Sequence, residues 1–309
     1  MKTIGYDVIG DVHGHAPQLL KLLATLGYKN EGDCFRHPFR KAVFLGDFID
    51  RGPAIRETLE TVRPMVEHGA AVAVLGNHEL NAIAFHTADH AAGTKTYLRP
   101  RSDENHRQHA ATLAQLTSTE MESYLAWFRT LPLWWECDAF RVVHACWDEQ
   151  AVRTLGFHCD GRITAEVLVQ GCRPGGRLAA PMEILLKGKE VPLPEGHHYH
   201  DCEGRVRLKC RTKWYESPAG HTYQTYALAS EHIPCDAPVS NEVFAAAAPY
   251  PSTAKPVFIG HYGLLGPRPT LLASNVACVD WGVTKGGFLC AYRWSGEAVL
   301  QASHFCTVK

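Results

Sequence analysis

Three short, mostly apolar runs in the first eighty residues each end on a glycine followed at once by acids, histidines or an amide. Tyr6-Asp7-Val8-Ile9 leads into Gly10-Asp11-Val12-His13-Gly14-His15. Lys41-Ala42-Val43-Phe44-Leu45 leads into Gly46-Asp47-Phe48-Ile49-Asp50-Arg51-Gly52-Pro53, and Ala70-Ala71-Val72-Ala73-Val74-Leu75 into Gly76-Asn77-His78-Glu79. Between them lie one-sided apolar stripes at helical spacing, first Leu19, Leu20, Leu22, Leu23 and Leu26, then Ile55, Leu59, Val62 and Val66. Pro17 suits the first turn of the first helix and Gly27 its end. A β-α-β-α-β order of this kind builds a largely parallel sheet, and such sheets place ligand groups beyond the carboxyl ends of their strands. The pattern predicts chemistry along one sheet edge.

Further on, the signal is uneven. Residues 86–116 are polar, with Arg99, Arg101 and Arg107, and read as a mobile insertion or lid. Thr119-Glu120-Met121-Glu122 resembles a capping box, and Tyr124, Trp127, Phe128 and Leu131 supply the buried face of the next helix, which Pro132 ends. Arg141-Val142-Val143-His144-Ala145 reads as a fourth strand closing on a histidine. Residues 151–251, rich in Pro, Gly, Cys and charge, read as a cap or an elaborated insertion. Pro256–His261, Val276–Asp280, Phe288–Trp294 and Ala298–Leu300 read as strands of a second sheet. With no repeat and no linker, a single domain over residues 1–309 is expected, its core ~1–150 and ~252–309.

A net charge of −1 argues against a chain that coats nucleic acid or an anionic membrane, though it leaves nucleic acid open as a substrate. No apolar run reaches the ~18 residues a membrane span needs. Met1-Lys2-Thr3-Ile4-Gly5-Tyr6-Asp7 meets an acid too early for a signal peptide, so a cytoplasmic protein is expected. The eleven cysteines, scattered and without a C-x-x-C pair, read as thiols in a reducing compartment.

The strand ends together supply Asp11, His13, Asp47, Asp50, Asn77, His78, His144 and His261. Side chains two apart can point the same way from extended backbone, which makes Asp-x-His a useful ligand spacing. A carboxylate such as Asp47 can bridge two cations while imidazole and amide oxygen complete each shell. Mixed nitrogen and oxygen donors without thiolate suit manganese, iron, zinc, cobalt or nickel better than calcium. Two such ions ~3.5–4 Å apart polarise a phosphoryl oxygen and acidify a water.

The blocks Gly10-Asp11-Val12-His13-Gly14, Gly46-Asp47-Phe48-Ile49-Asp50-Arg51-Gly52 and Gly76-Asn77-His78-Glu79 resemble the three signature blocks of the calcineurin-like metallophosphoesterases. The likeness is to the phosphoprotein-phosphatase and diadenosine-tetraphosphatase branch. His144 and Gly260-His261 are similar to its two later histidine blocks. The resemblance covers residues ~5–145 and ~255–295 and implies a four-layer α/β/β/α sandwich of two mixed sheets. It implies Asp11, His13 and Asp47 at one divalent metal and Asp47, Asn77, His144 and His261 at a second. Manganese comes first for both, with iron, zinc, nickel, cobalt or magnesium as alternatives. His78 would be the general acid, Asp50 its orienting partner and Arg51 the phosphate clamp, all serving attack by a metal-bridging hydroxide. A guanidinium offers a planar fork to phosphate, and a His–Asp pair keeps imidazole aimed, so the residue chemistry agrees.

Departures are few. Gly263 stands where many relatives have a further histidine, Cys146 replaces a glycine after His144-Ala145, and Asp50 is often absent from bacterial diadenosine tetraphosphatases. The last tilts the expectation towards a phosphomonoesterase acting on a phosphorylated small molecule, nucleotide or phosphoprotein. The alternatives are a dinucleoside polyphosphate hydrolase, a nucleotide or nucleic-acid-end phosphodiesterase, and an inactive metal-binding regulatory module. Glu79 reads as structural. His197-His198-Tyr199-His200-Asp201-Cys202 could bind metal but reads as an exposed loop, since ligands need a built supporting shell. Arg207, Arg211 and Lys213, followed by Trp214-Tyr215, read as a solvated strand face, with Arg211 carried as a candidate second phosphate contact. Arg99, Arg101 and Arg107 read as solvated loop.

Overall fold

Strand residues alternate between two apolar clusters, and that alternation builds the molecule. A computed structural model of the chain describes residues 5–89, 96–201, 204–228 and 233–309. Met1 to Ile4 and Cys202 lie outside the described residues. Strands β1 (Gly5–Ile9), β2 (Arg40–Phe44) and β3 (Ala71–Ala73) run parallel, in the order β1-β2-β3. Ile9 pairs with Phe44 and Phe44 with Ala73, so the three glycine-led loops leave the sheet side by side. In a second sheet, β4 (Trp134–Glu136) pairs antiparallel with β5 (Arg141–Val143). Beyond β5, β6 (Val257–Ile259) and β7 (Val276–Cys278) continue that sheet in parallel.

Val8, Val43, Val142, Phe258 and Ala277 face one shared cluster, with Phe140 and Tyr292, between the sheets. Their neighbours Ile9, Phe44, Val143, Ile259 and Cys278 point the other way, into the apolar cluster that includes the helices. Phe258 meets Phe140 at 5.3 Å and Tyr292 at 5.0 Å between ring centroids, so aromatic rings join the two sheets.

Helices α1 (Ala16–Leu26) and α2 (Ile55–Glu67) follow β1 and β2, and α3 (Asn77–His86) starts directly after the third loop. In α1 the expected stripe is buried except Leu20, which is 40% exposed, and Gly27 at φ 91° closes the helix. Between α1 and β2 a small hairpin pairs Lys29–Asn30 with Phe35–Arg36.

Several expectations change. Residues 103–115 are no mobile lid but helix α4 (Asp103–Gln115), with His109 and Thr112 buried. The capping box of α5 (Ser118–Phe128) is Thr117 with Glu120, two residues before the expected start. Much of the expected insertion is an outer helical layer on the second sheet: α6 (Glu149–Cys159), α7 (Ala165–Cys172) and α8 (Ala179–Lys187). Their Leu155, Leu168, Leu185 and Leu186 join Val143, Val257 and Ile259 in one apolar cluster. The described residues between 190 and 246 then form short strand pairs with helices α9 (Tyr223–Tyr226) and α10 (Asn241–Ala246).

The run Val276–Asp280 divides, because β8 (Asp280–Trp281) belongs to the first sheet. Phe288–Trp294 forms β9 there too, antiparallel to β1 rather than in the second sheet. Ala298–Leu300 is not a strand, and the last strand, β10 (Phe305–Val308), pairs with β9. Both sheets are therefore mixed, each with helices outside, as the four-layer expectation requires. No helix among the described residues is long and apolar enough to cross a membrane.

Candidate metal centre and active site

The carboxyl-terminal edges of the two sheets converge. Asp11, His13, Asp47 and Asn77 come from loops of the first sheet, His144 follows β5, and His261 follows β6. The loops need backbone that side chains resist: His13, Asp47, Asp50, Arg51 and His261 all have positive φ, between 44° and 73°. They are also packed too closely for larger residues. A Cβ on Gly76 would come within 2.2 Å of Asp47 Oδ1, and one on Gly260 within 2.1 Å of Asp11 Oδ1.

Glu79 ties the loops together. Its Oε2 accepts the N–H groups of Asp47 at 2.8 Å and Gly76 at 3.2 Å, and its Oε1 accepts that of Phe48 at 2.8 Å. Burial, reinforced by nearby Asp47, pushes its pKa up to about 7. The structural reading of Glu79 thus gains a specific job. Replacing it with Gln would aim an amide at these backbone donors and is expected to cost roughly 2–3 kcal/mol in urea denaturation. An unchanged midpoint would refute the tie.

Asp47 lies at the centre. Its Oδ2 is 3.4 Å from His13 Nε2, 3.4 Å from His144 Nε2 and 3.9 Å from His78 Nε2. The opposite ring nitrogens of the first two are fixed by carbonyls, His13 Nδ1 by Ile49 at 2.8 Å and His144 Nδ1 by Leu45 at 2.6 Å. Asn77 Oδ1 faces His144 Nε2 at 3.0 Å and His261 Nδ1 at 2.7 Å. Two groups could each hold a cation: His13, Asp47 and His78, and Asp47, His144 and His261. Asp11 stands outside both. One of its oxygens accepts the His261 N–H at 3.0 Å, and its pKa is raised by burial and by Asp280, a neighbour that sequence reasoning passed over.

Electrostatics follow this layout. Burial pushes the His144 imidazole down, but the charge and hydrogen bond of Asp47, with the charge of Asp11 and the Leu45 carbonyl, together lift the pKa to about 10. His144 and His78 hold the Asp47 carboxyl well below its ordinary range against the opposing effect of burial. Burial, followed by the charge of Arg51, lowers His13; for His261 it is burial followed by Arg211.

The residues fit a pair of divalent cations. The inward donors are imidazole nitrogen, carboxylate oxygen and amide oxygen, and Asp11 Oδ1 and His261 Nε2 are enclosed without a hydrogen-bond partner.

Beside this centre, His78 Nδ1 donates to Asp50 Oδ2 at 2.6 Å, and the exposed Arg51 brings Nη2 to 3.4 Å from His78 Nε2. Asp50 Oδ1 is held from α4, by His109 Nδ1 at 2.8 Å and Thr112 Oγ1 at 2.5 Å. Neither residue was found from the sequence. The available signal was a polar i, i+3 pair on one helical face, ending near the buried Leu116. Despite burial, hydrogen bonds from His109 and His78 hold the Asp50 carboxyl well below its ordinary range.

The arginine candidates separate. Arg211 is half-buried and donates Nε to the Lys187 carbonyl at 3.1 Å, close enough to act on His261. Arg207 is paired with Asp201 at 2.9 Å. Arg99 is half-buried and gives Nη2 to Gln108 at 2.6 Å, and Arg101 lies 3.6 Å over the Tyr97 ring, so neither is simply solvated loop. His197, His198 and His200 are exposed as expected, although Tyr199–His200 is a short strand paired with Val206–Arg207 rather than loop. The ten described cysteines are all free.

Comparison with known proteins places this geometry. Residues 6–156 match the sequence profile of the calcineurin-like phosphoesterases. An asymmetrical bis(5'-nucleosyl)-tetraphosphatase of Anoxybacillus flavithermus is 45% identical over 74 residues, 24% of this chain; the match spans 30% of that relative's length. A symmetrical bis(5'-nucleosyl)-tetraphosphatase of Aromatoleum aromaticum is 26% identical over 95% of this chain and 94% of its own. Among solved structures, a protein serine/threonine phosphatase from Saccharomyces cerevisiae superposes with a TM-score of 0.53 at 15% identity, over 99% of this chain and 79% of that one, a likeness of fold alone. Residues 6–156, which carry all three glycine-led loops and His144, are thus the part of this chain that resembles the calcineurin-like phosphoesterase family.

Proposed function

We propose that the chain is a cytoplasmic two-metal phosphoesterase that hydrolyses phosphomonoesters of a small molecule, nucleotide or protein. The observation that carries this reading is Asp47 Oδ2 set among three imidazole nitrogens, with the Asp50–His78 pair and Arg51 alongside. Asp11, His13 and Asp47 would hold one ion and Asp47, Asn77, His144 and His261 the other, with manganese preferred. When bound, the ions supply Lewis-acid polarisation of the phosphoryl group and a water of lowered pKa. Arg51, exposed beside His78, binds phosphate oxygens through its planar fork. As a water oxygen bonds to phosphorus, the ester P–O bond breaks, its electron pair stays on the leaving oxygen, and the proton on His78 Nε2 neutralises it. Asp50, accepting from Nδ1, keeps that ring aimed. Arg211 is a candidate second phosphate contact, supported by its nearness to His261.

A dinucleoside polyphosphate hydrolase is the second reading, favoured by the alignment along nearly the whole chain with the Aromatoleum tetraphosphatase. A panel of a phosphopeptide, diadenosine tetraphosphate, a nucleoside 2′,3′-cyclic phosphate, p-nitrophenyl phosphate and bis-p-nitrophenyl phosphate, run with Mn, Ni, Zn and Mg, separates the two. Turnover of the monoesters is expected, abolished by EDTA and restored by manganese. Release of ADP from diadenosine tetraphosphate at a far higher kcat/KM would favour the second reading. A metal-loaded protein inert on every ester would leave only a binding module.

A further inference from the structure

Asp50 carries more donors than a carboxylate needs in order to orient one imidazole. One oxygen takes His78 Nδ1, and the other takes both His109 Nδ1 and Thr112 Oγ1. Thr112 Oγ1 also accepts the Asp50 backbone N–H at 3.0 Å, so one hydroxyl fixes main chain and side chain together. This matters because Asp50 sits at φ 64°, on backbone that a non-glycine residue holds only when its surroundings impose it. An ionised carboxylate only accepts, so both imidazoles must present an Nδ1–H to it. The His109 ring is itself held, edge-on to Phe85 with centroids 5.4 Å apart. Asp50, His78, His109 and Thr112 are all buried residues, and one helix, α4, supplies both clamping residues at i and i+3.

From this we infer that His109 and Thr112 are positioning residues for the proton donor: α4 locks Asp50, and through Asp50 sets the direction of His78 Nε2. The inference rests on the phosphoesterase reading above. An alternative role for His109 and Thr112, plain packing of α4 against α2, makes a different kinetic prediction. A packing defect loosens the whole site and slows every substrate alike. Misdirection of the donor slows only esters whose leaving oxygen needs the proton.

The test measures kcat and KM of the manganese-loaded full chain on phenyl phosphate and on 2,4-dinitrophenyl phosphate. In His109→Phe, which keeps a ring against Phe85 but removes the donor, kcat on phenyl phosphate is expected to fall about 30-fold, within the range of supporting-residue effects. On the dinitrophenyl ester the fall is expected to stay under about threefold, since a good leaving group needs little help from the acid. KM and metal content should not change. Thr112→Val gives a second route to the same selectivity should His109→Phe fold poorly. In a His78→Asn background, His109→Phe should add nearly nothing on phenyl phosphate, because the group it directs is gone. Equal falls on both esters, or full additivity with His78→Asn, would overturn the inference while leaving the phosphoesterase reading intact. A wild-type chain inactive on both esters would overturn both.

Discussion

Asp47→Asn is expected to lower turnover on any phosphate ester on the order of a thousandfold or more, and to strip the protein of most of its bound metal. The reason lies in charge. Asp47 is the one carboxylate shared by both candidate cation groups, and its Oδ2 stands within 3.9 Å of three imidazole nitrogens. Asparagine keeps an oxygen for the His78 backbone N–H, which Asp47 Oδ1 accepts at 3.0 Å, so the loop can persist. What it cannot keep is the negative charge between the two cation positions. Metal analysis beside circular dichroism distinguishes lost ions from a lost fold. Retention of two ions and full rate would remove Asp47 from the bridging role.

His78→Asn should leave the metals in place and still slow phenyl phosphate by about a hundredfold or more, a usual range for loss of a general acid. Asparagine preserves a donor towards Asp50 but offers no transferable proton. Metal content is the sharper readout here, because His13, Asp47 and His78 also form one of the two tight clusters. If His78 served as a ligand, the variant would lose an ion and fail equally on good and poor leaving groups. Full rate on the poor one would refute the proton-donor role.

How much of this could be read from residues alone depends on the range of the force involved. The three glycine-led loops follow from local pattern: an apolar run, a glycine, then polar atoms where a parallel sheet stops. Helices α1 and α2 were equally local, though Leu20 continues the pattern of leucines while pointing outward. Phe288–Trp294 looked like a strand and is one, but nothing in its own seven residues says it lies beside β1. That choice is made by partners nearly three hundred positions away. Helix α4 departs from the pattern for another reason. Its inward face includes His109 and Thr112, held inside by the hydrogen bonds that His109 Nδ1 and Thr112 Oγ1 make to Asp50. Hydrophobic periodicity cannot register a face held by hydrogen bonds.

The left-handed backbone at His13, Asp47, Asp50, Arg51 and His261 bears on how such a chain ages under mutation. Each of these residues holds a conformation that glycine adopts freely, at a cost of about 1 kcal/mol or more. Selection for stability alone would therefore push these five positions towards glycine, and only selection for the chemistry holds them back. Should a lineage lose its need for the reaction, these positions would be among the first to erode, with the fold growing firmer as the site disappears. A relative that keeps both sheets but carries glycine there would be recognisable as a descendant that has given up the reaction.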